Sequence, residues 1–321
     1  MRPFDELTPR GQITRLRALA GDAIDAYDID GARITLLKQA FNTMFRVVGA
    51  DGHKRALRVG TAERIHTDET EAVETAWLAA LRLETDIAAP LPIANRAGSF
   101  VTQVARDGVP NRRVCVLFEW ARGHRLTDAI SSESVANAGA VLARLHEHGA
   151  TFEGGRVQPV NVADTVALFR IPDRVPRDHP QYGTLLTEAM ERAQRAIDAL
   201  WADPAPRPHL LHGDFHPNNI LVWRGRITPI DFQDAFWGFE VQDIAHTLSS
   251  LERFPEPAAL GAALRAGYER LRPWPADDAV VHELIGARHL SQLNLGCNLR
   301  RHGFDEYLAR HASWLREWMR S

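Results

Sequence analysis

Cysteine is nearly absent from this 321-residue chain, and its two copies, Cys115 and Cys297, lie far apart without a C-x-x-C pattern. That excludes a disulfide framework and argues against a cysteine-built metal or redox centre. Two buried, reduced thiols in a cytosolic protein are expected. Lysine is equally scarce: Lys38 and Lys54 are the only lysines, and arginine supplies almost all the positive charge. The formal net charge is −3, with no strongly basic stretch. A nucleic-acid footprint is therefore missing. No apolar run approaches the ~20 residues that a membrane span needs. The opening residues MRPFDELTPRGQ lack the apolar stretch of a secretory signal. These absences lead to the expectation of a cytoplasmic protein with neither membrane nor nucleic acid as partner, its oligomeric state open.

The remainder is an ordinary globular mixture, 45% hydrophobic and 25% charged, in enough chain for two domains. Thr8-Pro9 reads as a helix start, with Thr as N-cap and Pro first in the helix, which should run to about Tyr27. Short β-rich runs follow at Arg33–Leu37, Met44–Val48 and Ala56–Val59, with Asp51-Gly52 as a hairpin turn. In Asp68–Leu83, Val73, Trp77, Leu78 and Leu81 recur at helical spacing. Phe100–Val104 and Arg113–Trp120 read as two more strands. The first third thus predicts a small antiparallel sheet with one helix inserted after its third strand.

Beyond Gly123 the pattern turns helical. Val135–His146 carries an apolar face through Ala138, Val141, Leu142 and Leu145; Gly149–Pro180 reads as irregular, and Leu185–Trp201 as a helix. Ile220–Trp223 and Arg226–Ile230 predict two short strands about an Arg224-Gly225 turn, and helices resume near Val241. The fold class expected is α+β in two lobes: residues 1–120, sheet-rich, and residues 121–321, mainly helical, with a connector near Glu119–Gly123.

The segment with most chemistry is HLLHGDFHPNNILVWRGRITPIDFQDAFWG, His209–Gly238. Within it, His212, Asp214 and Asn219 have the H-x-D-x-x-x-x-N spacing of a kinase catalytic loop. Asp231 follows after two short strands and a turn. Phosphoryl transfer needs positioning and charge neutralisation more than covalent chemistry. Asp214 would accept or orient the proton of the attacking hydroxyl. Asn219 offers a neutral oxygen to Mg²⁺ and Asp231 a charged one, the hard donors that ion prefers. A hairpin from Ile220 to Ile230 would return Asp231 to the side of Asn219. A rival reading takes His212, Asp214 and His216 as an H-x-D-x-H metal cluster, alternating along a strand.

These residues resemble the aminoglycoside phosphotransferase and choline kinase family, a branch of the protein-kinase-like fold. H-G-D-F-H-P-N-N-I-L at His212–Leu221 is similar to its catalytic loop, and I-D-F-Q-D at Ile230–Asp234 to its metal-binding segment. L-A-R-L-H at Leu142–His146, G-F-E-V-Q-D-I-A at Gly238–Ala245, E-T-A-W-L at Glu74–Leu78 and F-E-W-A-R-G at Phe118–Gly123 extend the resemblance over most of the chain. It implies an ATP- and Mg²⁺-dependent phosphotransferase acting on an alcohol group, with Asp214 as base and Asn219 and Asp231 as metal ligands. Arg58 falls where the family's fold places a phosphate-binding Lys, with Glu74 as its ion-pair partner and Glu71, one turn earlier, as the alternative. The backbone of Glu119 and Ala121 would meet the adenine edge. Ala56 and Leu221 would cover its faces, with Ile230 beside them. The turn Lys38–Thr43 contains no glycine, so Asn42 and Thr43 would take over phosphate contacts.

The acceptor is less clearly written. Asp234, Glu240, Asp243 and Glu283 could suit a polycation; Trp237, Phe239, His289, Gln292 and Asn294 could suit a neutral or anionic hydroxylated metabolite. A small-molecule hydroxyl acceptor is the leading expectation. A protein Ser/Thr kinase and a non-catalytic nucleotide-binding module are the alternatives. The absence of an A-P-E segment speaks against the first of these, and intact Asp214, Asn219 and Asp231 against the second.

Overall fold

A computed structural model describes residues 2–39, 42–62, 66, 68–154, 174–205, 207–275, 277–298 and 303–321. The chain divides into two units, Met1–Arg122 and Gly123–Ser321.

In the first unit, helix α1 (Pro9–Ile24) begins at the predicted cap, where Thr8 Oγ1 accepts the Gly11 N–H at 3.2 Å. It ends at Ile24, short of Tyr27. Strands β1 (Arg33–Gln39), β2 (Thr43–Val48) and β3 (Lys54–Val59) precede helix α2 (Asp68–Glu84), and β4 (Val101–Val104) and β5 (Arg113–Glu119) follow it. They form one antiparallel sheet in the order β1-β2-β3-β5-β4. Side chains alternate across a strand. Phe45 and Val47, Leu57 and Val59, and Cys115 and Leu117 therefore share one face, and they join Leu16, Leu19, Ala20 and Ala23 of α1 in the core. The same alternation turns Ala56, Arg58 and Phe118 to the opposite face.

In the second unit, β6 (His124–Arg125) leads into α3 (Ser132–Thr151), capped by reciprocal Ser131 and Ser134 hydrogen bonds. The predicted irregular stretch begins later than expected, because α3 continues past Gly149 to Thr151. Its middle, residues 155–173 with Pro159 and Pro172, lies outside the described residues. A short helix α4 (Val175–Asp178) interrupts its end, before α5 (Gly183–Ala202). Next come β7 (His209–Leu211), β8 (Ile220–Trp223), β9 (Arg226–Pro229) and β10 (Phe236–Gly238), then α6 (Glu240–Leu251), α7 (Pro257–Tyr268), α8 (Asp278–Asn298) and α9 (Phe304–Trp318). The β8–β9 hairpin turns through Arg224 (φ 51°) and Gly225 (φ 76°), and β6 adds a third strand to it. β7 pairs with β10. These two- and three-residue strands are too short to show a period in sequence. Gly267 lets α7 approach α3, since a Cβ there would collide with the Ala136 carbonyl.

Both cysteines are buried and free. Among the described residues, no helix is long and apolar enough to cross a membrane.

Candidate active site

The loop from His212 to Asn219 leaves β7 through Gly213, whose φ of 79° favours glycine and whose missing Cβ would strike the Asp234 carbonyl. Helix α6 anchors this turn. Asp243, fully buried, accepts the backbone N–H of His212 at 2.9 Å and of Gly213 at 2.8 Å, and lies 3.4 Å from His146 Nε2. Burial works against its charge, but His146, His212 and the backbone N–H groups outweigh that and lower its pKa. One turn along α6, Thr247 Oγ1 donates to the Phe215 carbonyl at 2.7 Å. His212 is enclosed between Phe215 and Phe232, with Nδ1 accepting the Asp214 N–H at 3.3 Å.

Asp214 emerges from this loop with four polar neighbours. Asn219 Nδ2 donates to Oδ2 at 2.6 Å, and His216 Nε2 lies 3.3 Å from the same oxygen. Arg288 Nη2 donates to Oδ1 at 3.0 Å, and His246 Nε2 is 3.2 Å away. His216 Nδ1 accepts the Asn218 N–H at 3.2 Å, so a neutral His216 carries its proton on Nε2, facing Asp214. Burial alone would raise the Asp214 pKa; His216 and His246 outweigh it and hold the carboxyl well below the usual range. His246 is pushed down to about 4 by burial and by Arg288, and is neutral near pH 7.

The hairpin returns the chain as its turn predicts: Ile230 N–H donates to the Asn219 carbonyl at 2.9 Å, and Asp231 follows in a left-handed conformation, φ 68°. Asn219 also donates to the Asp214 carbonyl at 3.1 Å. With its amide nitrogen held by Asp214, Asn219 has Oδ1 as its remaining side-chain donor atom for a cation. An amide oxygen and a carboxylate on residues that the hairpin brings near each other in the chain are hard-oxygen donors of the kind that suits Mg²⁺. Leu221 and Ile230 are half-buried on this hairpin.

The rival metal cluster takes a different composition from the expected one. His212 points into the apolar interior, because the loop turns at Gly213 rather than running as a strand. Asp214, His216 and His246 are the residues whose ligand atoms lie within 4.8 Å of one another. Arg288 Nη2 is within 3.4 Å of His246 Nε2 as well as bonded to Asp214. A fixed guanidinium in that position opposes a second cation.

In the first unit, Arg58 is 3% exposed and meets both candidate acids on α2. Its Nη1 donates to Glu74 Oε1 at 2.8 Å and its Nη2 to Glu74 Oε2, a bidentate pair; Nη2 also reaches Glu71 Oε2 at 2.6 Å. Glu71 and Glu74 are three apart on one helix face, so both can address a single guanidinium. The guanidinium carbon sits 5.2 Å from the centre of the Phe118 ring. Ala56 is half-buried opposite Phe118 across β3 and β5. The Glu119 N–H donates to the Leu91 carbonyl at 2.8 Å, so of its backbone groups the carbonyl is the one open to a ligand. Ala121 and Asn42 are half-buried.

Most acceptor candidates prove to be structural. Glu240 accepts from Arg272 at 2.6 Å and Tyr268 at 3.2 Å; Glu283 accepts from Arg192 at 2.8 Å; Asn294 accepts the Arg174 N–H at 3.1 Å. Phe239 packs on Trp201, ring centres 5.0 Å apart. Sequence reasoning missed Arg288 and His246 altogether. Neither lies in a motif, and α6 and α8 bring them to Asp214.

An antiparallel-sheet unit followed by a mainly helical one, with this loop and hairpin, defines a protein-kinase-like phosphotransferase class. The model of the phosphotransferase enzyme family matches residues 34–280, and the chain belongs to that family. A homoserine kinase of Beijerinckia indica subsp. indica is 31% identical over 198 residues, 60% of this chain and 58% of that protein. One of Methylocella silvestris is 32% identical over 148 residues, 45% of each. The match thus spans 58% of the first of these curated relatives and 45% of the second. Among solved structures, a microcompartment-associated aminopropanol kinase superposes with a TM-score of 0.74 at 24% identity, covering 94% of both chains. An amicoumacin kinase in complex with AMP-PNP and Ca²⁺ superposes with 0.77 at 19% identity, covering 95% of this chain and 96% of its own. At such identities these two carry the fold.

Proposed function

We propose that this chain moves the γ-phosphoryl group of ATP to a hydroxyl of a small molecule, with Mg²⁺ as its divalent ion. The observation that carries this reading is the Asp214–Asn219 bond at 2.6 Å. It joins a deprotonated carboxylate to an amide whose oxygen is left for a metal. Asn219 and Asp231 would hold Mg²⁺, which neutralises charge on the phosphates when bound. Asp214 would take the proton of the acceptor hydroxyl as its oxygen bonds to the γ-phosphorus and ADP leaves. Arg58, held by Glu71 and Glu74, would contact the α- or β-phosphate. Asn42, Ala56, Glu119, Ala121, Leu221 and Ile230 would each contribute a nucleotide contact, with residues 1–120 as the nucleotide-binding lobe and 121–321 as the lobe of the catalytic loop, metal site and acceptor site.

Relatives that carry the names homoserine kinase and aminopropanol kinase support a compact hydroxylated amine or amino acid as acceptor. A protein acceptor is disfavoured locally: residues 232–239 run from Asp231 through a 3-10 turn and β10 directly into α6, leaving no length for an activation segment. Two unpaired thiols favour the reducing cytoplasm. The test is ADP release by purified protein with Mg²⁺-ATP and a panel of hydroxylated amines, amino acids and aminoglycosides, against a general protein substrate. Asp214→Asn should lower kcat by about 10²-fold or more, the scale of a lost general base. Transfer to proteins alone, or wild-type turnover in Asp214→Asn, would overturn the reading.

A further inference from the structure

Every oxygen of Asp214 is already engaged. Oδ2 is held by Asn219 and faced by His216; Oδ1 receives Arg288 Nη2 at 3.0 Å. His246 Nε2 lies 3.2 Å from Oδ1 as well, so all of the roughly four acceptor positions of this carboxylate are faced, and a hydroxyl reaches one by displacing a neighbour. Asn219 belongs to the loop itself, whereas Arg288 comes from α8. Its side chain is 9% exposed. Gln292, one turn on, supports it: with the amide oxygen turned toward the guanidinium, it accepts from Nε at 3.3 Å and from Nη2 at 2.6 Å. Among the described residues, Arg288 Nη1 donates to no acceptor.

The charge around this guanidinium also bears on the acceptor. A polycation needs acidic groups facing it. Of the four acids that sequence suggested, Asp243 is tied to backbone N–H groups, Glu240 to Arg272 and Glu283 to Arg192, while Asp234 lies near enough to Arg288 to favour its charge. Beside Asp214 stand instead a buried guanidinium, a neutral His246 and His216. A guanidinium fork matches a planar carboxylate in two parallel hydrogen bonds.

We propose that Arg288, backed by Gln292, reads a carboxylate on the acceptor, and that this carboxylate draws the guanidinium off Asp214 and opens Oδ1 to the acceptor hydroxyl. The inference rests on the phosphotransferase reading above and narrows its acceptor to hydroxylated amino acids. It makes recognition and release of the base one event. An acceptor without the carboxylate leaves Arg288 on Asp214 and meets a blocked base.

The test uses matched pairs that differ only by the carboxylate: L-homoserine with 3-aminopropan-1-ol, L-serine with ethanolamine, and L-threonine with 1-aminopropan-2-ol. In the wild type, kcat/KM should favour the acid of at least one pair by about 10²-fold, the upper scale of one hydrogen bond to a charged group. Arg288→Gln should collapse that ratio toward unity. Arg288→Lys, which keeps the charge and loses the fork, should restore part of it. Calorimetry with a non-hydrolysable ATP analogue provides a second readout that needs no turnover: the acid's Kd should weaken by about 10²-fold in Arg288→Gln relative to its amine partner. Amines preferred in every pair, or an acid preference that survives Arg288→Gln, would overturn the proposal. Failure to phosphorylate any hydroxyl compound would sink the phosphotransferase reading instead, and the calorimetric ratio would still decide Arg288. Circular dichroism on each variant identifies misfolding. Should Arg288→Gln misfold, Arg288→Lys and Gln292→Leu carry the comparison, both with a reduced acid-to-amine ratio; an unchanged ratio in both overturns the assignment.

Discussion

Replacing Asp243 should unfasten the His212–Asn219 loop from α6. Its carboxylate accepts two buried backbone N–H groups, of His212 at 2.9 Å and Gly213 at 2.8 Å, while fully buried itself. In Asp243→Ala both donors lose their acceptor, and each buried unsatisfied group costs roughly 1–3 kcal/mol, or about 4 kcal/mol for the pair. Asp243→Asn keeps an oxygen but not the charge. Charged hydrogen bonds contribute about 1 kcal/mol more than neutral ones, so this variant should lose about 2 kcal/mol. The difference is large against a total stability of ~5–15 kcal/mol. Urea unfolding followed by tryptophan fluorescence measures it. Because the folded Asp243 has a lowered pKa, its stabilisation is present above the unfolded carboxyl value of about 3.9 and is lost as pH falls through the folded one. The wild-type advantage over Asp243→Asn should therefore shrink only in acid. Turnover of Asp243→Asn should fall by up to about 10²-fold, the cost of displacing a reacting group by about 1 Å. If Asp243→Ala unfolds within about 0.5 kcal/mol of the wild type, the two bonds do not hold the loop and the argument fails.

If Asp231 is the charged oxygen ligand proposed above, Asp231→Ala should weaken Mg²⁺-ATP binding as well as turnover; calorimetry showing unchanged Mg²⁺ dependence would sink that assignment. Glu74→Ala should destabilise by about 3–5 kcal/mol, the cost of breaking one side of a buried ion pair, and Glu71→Ala by less, because Glu74 alone is bidentate to Arg58; equal losses in chemical denaturation would contradict this. Cys115, whose pKa burial pushes up to about 12, should resist iodoacetamide at pH 8 until the protein unfolds; mass spectrometry showing rapid native labelling at that thiol would refute its burial.

Some of this molecule is written locally. Asp214 and Asn219 share one loop, and Asp231 returns on a hairpin whose Arg224-Gly225 turn is legible, so short-range chain geometry is enough to assemble them. The Thr8-Pro9 helix start and the alternation of Phe45, Val47, Leu57 and Val59 are local too, because capping and pleating repeat every few residues. The acid facing Arg58 was not decidable from sequence: Glu71 and Glu74 lie on one helix face, and the fold uses both. β6, β7 and β10 escaped notice because strands of two or three residues carry no period.

What surrounds Asp214 is tertiary. His246 and Arg288 are separated from it by 32 and 74 positions, and nothing in their neighbours marks them. Only the packing of α6 and α8 against the loop puts an imidazole and a guanidinium on a carboxylate. A charge buried beside its partner has a different pKa and reach from the same residue in water. The motif that suggests phosphoryl transfer therefore folds on itself, whereas the groups that surround Asp214 are set by helices that meet only when the second unit is complete.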